Sequence, residues 1–187
     1  MNVNKAIENR RAYRSFVPVT ITDDMVKDLA RSAGLAASCF NNQPWRFVFV
    51  RDPAVLARMH ETLSKGNEWA RTASMIIAVC SKKESDCDLH GREYFLFDTG
   101  MATAQLILRA TEMGLVAHPI AGYREDKAMA ALGVPSDMKL ITLIIVGTWS
   151  GTPAAGLSEK QIEAERERPP RLPFEAFAFL DQYAPER

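Results

Sequence analysis

Ser38-Cys39-Phe40-Asn41-Asn42-Gln43-Pro44-Trp45-Arg46-Phe47 puts a hydroxyl, three amides and a rigid proline-aromatic turn where an amphipathic helical pattern gives way to a strand. Upstream, Thr22 reads as an N-cap, and Asp23 and Asp24 place carboxylates in a first turn, where the helix dipole favours them. Ile21 and Val26 suit a hydrophobic staple. Met25, Val26, Leu29, Ala30 and Ala33 then trace one buried face up to the quoted stretch, so the stretch lies just past a helix terminus and has the chemistry of a ligand loop. Further upstream, residues 3 to 12 have a helical pattern, and Arg10, Arg11 and Arg14 crowd a short segment at its end. Such a density of guanidinium suits an anionic group such as phosphate, although an isolated cluster of this kind is equally a set of solvated charges.

Downstream the chain alternates without strict βαβ order. Phe47 to Val50 reads as a strand. Asp52-Pro53 is a cap with proline at the first helical position, and the helix it opens is expected to run to about Ser64. Ser74 to Cys80 is a short β-branched apolar run, expected as a buried strand, and Ser81 to Gly91 reads as a polar loop. Arg92 to Met113 is the longest helical pattern, apolar on most sides and stopped by Gly114, as suits a core or subunit-interface helix. A strand over Leu115 to Ile120, a helix over Glu125 to Leu132 ended by Gly133, and a strand over Leu140 to Gly147 follow. A charged helix over Ser158 to Arg168 leads to Pro169-Pro170-Arg171-Leu172-Pro173, which fits neither a central helix nor a central strand.

Composition bounds the function. The 187 residues are 47% hydrophobic, enough for a sizeable core and one domain over 1–187. Lys and Arg number 23 and Asp and Glu 23, so no net field draws the chain to nucleic acid or an anionic membrane. Cys39, Cys80 and Cys87 have no framework spacing and fit a reducing compartment better than a disulfide scaffold. No apolar run approaches a bilayer span and the N-terminus has no signal core, so a cytoplasmic protein is expected. Cys87 and His90 have ligand-like spacing but no second pair, so no metal is expected. A glycine-rich dinucleotide or triphosphate loop is absent.

Arg10-Arg11-Ala12-Tyr13-Arg14-Ser15-Phe16, followed by Ser38-x-x-Asn41-x-Gln43-Pro44-Trp45, then His118-Pro119-Ile120-Ala121-Gly122-Tyr123 and Arg171-Leu172-Pro173, resembles the nitroreductase family of FMN-dependent oxidoreductases in order and spacing. The resemblance implies an α+β fold of three layers, with a central mixed, mainly antiparallel sheet flanked by helices and a C-terminal tail wrapping a partner subunit. It implies a homodimer with FMN at the interface and NAD(P)H as electron donor. Nitroaromatics, quinones or similar electron-poor small molecules are the implied acceptors, reduced by a ping-pong cycle. Reductive dehalogenation on the same scaffold, or a flavin-binding or redox-sensing module without turnover, are the alternatives.

For the residues, the resemblance implies that Arg10, Arg11, Ala12 and Arg14 meet the phosphate and pyrimidine edge of FMN and that Arg171 closes on the phosphate. Ser38, Cys39, Asn41 and Gln43 are implied to reach the flavin of the other subunit, with Cys39 as a small polar filler. Pro119, Ile120, Ala121 and Gly122 are implied to lie along the ring, with the backbone N–H of Ala121 or Gly122 aimed at flavin N5. Ala12 stands where relatives usually have serine, and Ala121 where many have an acid. His118 is expected to be a satisfied, partly buried histidine. Asn67, Trp69 and Arg71 lie where relatives have further contacts, too loosely matched to assign.

Overall fold

The computed structural model describes residues 2–184. In chain order its elements are α1 (Val3–Asn9), β1 (Phe16–Val17), α2 (Asp23–Gly34), β2 (Arg46–Val50), α3 (Pro53–His60), β3 (Met75–Ser81), β4 (Asp88–Leu89), β5 (Arg92–Glu93), α4 (Tyr94–Glu112), β6 (Val116–Ile120), α5 (Glu125–Leu132), β7 (Lys139–Trp149) and α6 (Glu159–Arg166), with short 3-10 turns between some of them.

Local chemistry sets the helix ends. Thr22 accepts a bond from the Met25 N–H, Asp52 accepts from Ala54 and Val55 ahead of Pro53, and Ser158 and Gln161 form a reciprocal capping box on α6. Gly133 ends α5 at φ 66°, a left-handed conformation that glycine takes without a steric penalty.

The central strand is β7. It pairs antiparallel with β3 along Lys139–Val146, with β6 along Leu143–Gly147 and with β1 at Thr148 and Trp149, while β2 pairs antiparallel with the far edge of β3. All pairings among the described residues are antiparallel. Period-two alternation divides the core into two layers. Met75, Ile77, Val79, Ile144 and Val146 pack with Leu29 and Ala33 of α2 and Ala102 and Leu106 of α4. Ile76, Ala78, Cys80, Leu143 and Ile145 pack on the other face with Met59 of α3 and Ala128 of α5. The result is the three-layer α+β architecture expected from the sequence.

Several expectations change in detail. The first helix ends at Asn9, because the Arg10–Arg14 segment turns away to meet α6; α3 stops at His60 and not near Ser64. The 81–91 segment is not an unstructured loop: Lys83 bridges Asp88 and Glu93 at 2.9 and 2.8 Å across the β4–β5 hairpin. The larger correction concerns the cysteines. Cys39 and Cys87 are joined by a disulfide across 48 residues of chain, and only Cys80 is free. Sequence spacing could not show this pairing, because the antiparallel pairing of β2 with β3 across the intervening α3, and the contact of Cys39 with Asp98 of α4, bring the two residues together. Cys39 is therefore a half-cystine and not a free polar filler.

Candidate functional site

The arginines sit where two chain segments far apart in sequence clasp one another. Arg11 donates to the carbonyl oxygens of Ala164 and Glu165 at 2.9 and 3.1 Å, occupying acceptors that the last turn of α6 leaves without an intrahelical partner. Arg168, just past that helix, donates back to the carbonyls of Glu8 and Arg10. Glu165, 2% exposed, accepts from the backbone N–H of Arg14, from the Ser15 N–H at 2.9 Å and from the Ser15 hydroxyl at 2.7 Å. Ser15 Oγ in turn accepts from the Ala154 N–H at 2.7 Å.

This clasp encloses a cavity of about 220 Å³, lined by Arg10, Arg11, Ala12 and Arg14 on one side and Arg168 and Arg171 on the other. Burial, then the neighbouring Arg168, Arg171 and Arg11 charges, push the Arg10 guanidinium below its ordinary range. Burial does the same for Arg14, against the opposing pull of Glu165. So many cations around one cavity are unfavourable unless an anion joins them, and guanidinium forks match a phosphate oxygen by oxygen. The residues present therefore fit the phosphate end of FMN.

Beside the cavity lies a polar-aromatic wall. His118, 7% exposed, sits 2.9 Å through Nδ1 from the Tyr13 carbonyl and stacks on Trp69 with ring centroids 4.8 Å apart. The Arg14 guanidinium lies over the same Trp69 ring at 5.8 Å. Tyr13 stacks on Trp149 at 4.4 Å, which fixes the arginine segment against the end of β7. At the end of β6, Gly122 offers its carbonyl to Asn67 Nδ2 at 2.9 Å and to the Ser64 N–H at 3.0 Å. A Cβ at Gly122 would meet Asn67 Nδ2 at 2.3 Å, so a side chain there would push the Asn67 amide off the Gly122 carbonyl. Pro119 and Ala121 are exposed beside it and Ile120 is buried.

Burial, reinforced by the nearby Arg14 and Arg10 charges, pushes His118 down to about 4, against an unfolded value near 6.5. Between those values the unfolded chain binds a proton that the folded chain refuses. Stability is thus fully present above about pH 6.5 and declines as pH falls toward 4, by up to about 3 kcal/mol. We expect the melting temperature of a His118→Asn variant to fall less than that of the parent between pH 7 and 5; equal slopes in the two proteins would contradict the assignment.

The Ser38–Gln43 loop does not line the arginine cavity. The Cys39 N–H donates to Asp98 at 2.6 Å, the Gln43 N–H to Ser38 Oγ at 3.0 Å, and Asn42 Nδ2 to Asp86 at 3.2 Å. Phe40, at its tip, is 85% exposed. The structure thus brings Arg10, Arg11, Ala12, Arg14 and Arg171 to one cavity and sets Pro119 and Ile120 on the strand whose His118 touches that segment, with Ala121 and Gly122 in the turn that follows it. Ser38, Cys39, Asn41 and Gln43 are not among the residues that line that cavity.

Sequence reasoning missed Glu165, Arg168 and Asp98 and left Asn67 and Trp69 unassigned. Glu165 and Arg168 belong to a run of charges that reads as a solvated helix face. Asp98, 1% exposed, had a usable signal, an acid on the buried side of an otherwise apolar helix.

The nitroreductase family model matches residues 7–148. A protein of Archaeoglobus fulgidus, provisionally named NADH dehydrogenase/NAD(P)H nitroreductase, is 28% identical over 147 residues, spanning 76% of this chain and 83% of its own. Among solved structures, an oxidoreductase containing FMN superposes with a TM-score of 0.83 at 28% identity, over 100% of this chain and 95% of that one. A nitroreductase-type protein from Exiguobacterium sibiricum, crystallised in complex with FMN, shares the fold at a TM-score of 0.74 and 23% identity, over 87% and 96% of the two chains.

Proposed function

We infer the activity from one premise, that this chain belongs to the nitroreductase family: it is an FMN-dependent NAD(P)H oxidoreductase acting on small electron-poor acceptors such as nitroaromatics or quinones. The observation that carries this reading is the convergence of Arg10, Arg14, Arg168 and Arg171 on one cavity beside the 118–122 segment. Bound in that cavity, FMN would supply the hydride-transfer chemistry between NAD(P)H and the acceptor.

The chain's own contribution is binding, orientation and electrostatics. Arg10, Arg14, Arg168 and Arg171 hold the phosphate, and Ala12 leaves that contact to backbone and guanidinium. Arg11 divides its donors between the α6 carbonyls and the cavity. Arg14 keeps a permanent positive charge in a half-buried site, which favours the anionic reduced form of a flavin next to it. Gly122, held by Asn67 and Ser64, gives a backbone edge free of side-chain bulk, and Ala121 adds no acid or base there.

The reading includes a homodimer of single domains spanning 1–187. Ser38, Cys39, Asn41 and Gln43 neither line the cavity nor bond to a residue that does, and in this reading they complete the partner's site. Exposed Phe40, Leu35, Val3 and Ile7, with Leu172, Phe174, Phe177 and Leu180 on the tail, supply apolar surface for that association and for a tail laid over the partner. Among the described residues no helix is long and apolar enough to cross a membrane. A cytoplasmic setting, where NAD(P)H is plentiful, completes the proposal.

Steady-state kinetics test the cycle. Double-reciprocal plots against NAD(P)H at several fixed quinone concentrations are expected to be parallel. Lines that intersect would mean that donor and acceptor occupy the site together.

A further inference from the structure

We propose that Cys39 and Cys87 form a reversible redox site whose closure to a disulfide fixes the conformation of the 38–43 loop. The link from that loop to the cofactor rests on the dimeric FMN reading above; the redox site itself does not.

The two sulfurs tie the start of the loop to the segment that leads into the β4–β5 hairpin, with Cα atoms 6.1 Å apart. Both residues are half-buried and so within reach of a thiol reagent. Cys80 is the internal contrast. It is buried in β3, and burial, with Glu125 nearby, pushes its thiol up to about 11, so it is unreactive at neutral pH.

Two effects, both favouring the opened form, make the bond reversible and not a permanent staple. First, the loop between the tie and Pro44 is strained. Phe40, Asn41 and Gln43 have φ of 48°, 58° and 49°, a left-handed conformation that asparagine tolerates and phenylalanine and glutamine adopt at a cost. Such a run persists only where its surroundings over-determine it. Here the restraints are the Cys39 N–H to Asp98 bond, the Gln43 N–H to Ser38 bond, the Asn42 to Asp86 bond and the single covalent tie. Second, beside the sulfurs one acid faces another. Asp86 Oδ2 is buried, and the side chain it meets is the Asp98 carboxyl, which burial first and then the contact with Asp86 push above the usual carboxylate range. Both sulfurs and an Asp86 carboxylate oxygen lie within 4.8 Å of one another. Reduction creates two S–H donors beside that carboxylate, so the open state gains polar partners while the closed state holds the strained loop.

The reductant is an external dithiol. Its thiolate attacks one sulfur, the Cys39–Cys87 bond breaks to give a mixed disulfide, and its second thiol displaces the protein sulfur. Two electrons and two protons reach Cys39 and Cys87 as S–H groups, and the dithiol leaves as its own cyclic disulfide.

The test uses the full chain, with and without FMN, after diamide oxidation or dithiothreitol reduction. Denatured without reductant, oxidised protein is expected to take one iodoacetamide, at Cys80, and reduced protein three. Amide hydrogen exchange across residues 39–43 is expected to rise about tenfold or more on reduction and to return on reoxidation. A Cys87→Ser variant should show the fast exchange in both buffers. Three adducts on oxidised protein, or loop exchange that does not respond to redox state, would overturn the proposal. Weaker FMN binding in the reduced protein would tie the loop to the cofactor. Failure to bind FMN in either state would defeat the functional reading and leave the alkylation and exchange results to decide the redox site.

Discussion

Replacing Arg14 with alanine is expected to weaken FMN binding by roughly 10- to 150-fold, the equivalent of a charge-assisted contact worth about 1.5 to 3 kcal/mol. Arg14 is half-buried, its guanidinium lies over Trp69, and it lines the cavity together with Arg10, Arg168 and Arg171. The backbone N–H of Arg14 binds Glu165 whatever the side chain, so the substitution empties the cavity of one charge without unfastening the clasp. Arg171→Ala is expected to act in the same direction toward the low end of that range, because Arg171 is exposed and solvent screens its charge. Fluorescence titration of the apoprotein with FMN measures both. Parent affinity in both variants would show that the phosphate is held elsewhere.

Glu165→Ala is expected to destabilise the protein by roughly 3 kcal/mol or more. The carboxylate is buried and serves the Arg14 N–H, the Ser15 N–H and the Ser15 hydroxyl, and each stranded buried donor costs on the order of 1 to 3 kcal/mol. For a chain of this size the melting temperature should fall by about 6 to 12 °C. Glu165→Gln keeps one carbonyl oxygen for the two N–H groups and should lose less than half as much. Thermal unfolding of the three proteins decides the matter, and a Glu165→Ala shift below about 2 °C would contradict the clasp. The substitution should also loosen FMN, since Arg10, Arg14 and Arg168 take their places from contacts between the N-terminal segment and α6.

The difference between these two residues shows what the sequence could and could not reveal. Arg14 was legible because three arginines within five positions form a local pattern. Glu165 was not, since its partners Arg14 and Ser15 lie about 150 residues away and its neighbours Lys160, Glu163, Arg166 and Glu167 read as a solvated face. The same division runs through the fold. Thr22, Asp52 and Gly133 mark helix ends through interactions within one turn, and the unbroken apolar runs in 75–80 and 143–146 mark strands buried on both faces, so these elements were readable. The Cys39–Cys87 bond, the Asp98 anchor of Cys39 and the stack of His118 on Trp69 depend on how the sheet brings distant segments together, and nothing in local spacing encodes them. That Ser38, Asn41 and Gln43 do not line the arginine cavity is likewise a product of topology, and it is the feature that makes the second subunit part of the functional reading.

The most direct measurement is the visible absorption spectrum of the FMN-reconstituted protein, recorded anaerobically before and after NADH or NADPH and again after a quinone or nitroaromatic. A flavin band that bleaches with one of the nucleotides and returns with the acceptor is the result expected of an NAD(P)H oxidoreductase. A band that stays oxidised with both nucleotides, or a protein that retains no FMN, would contradict it.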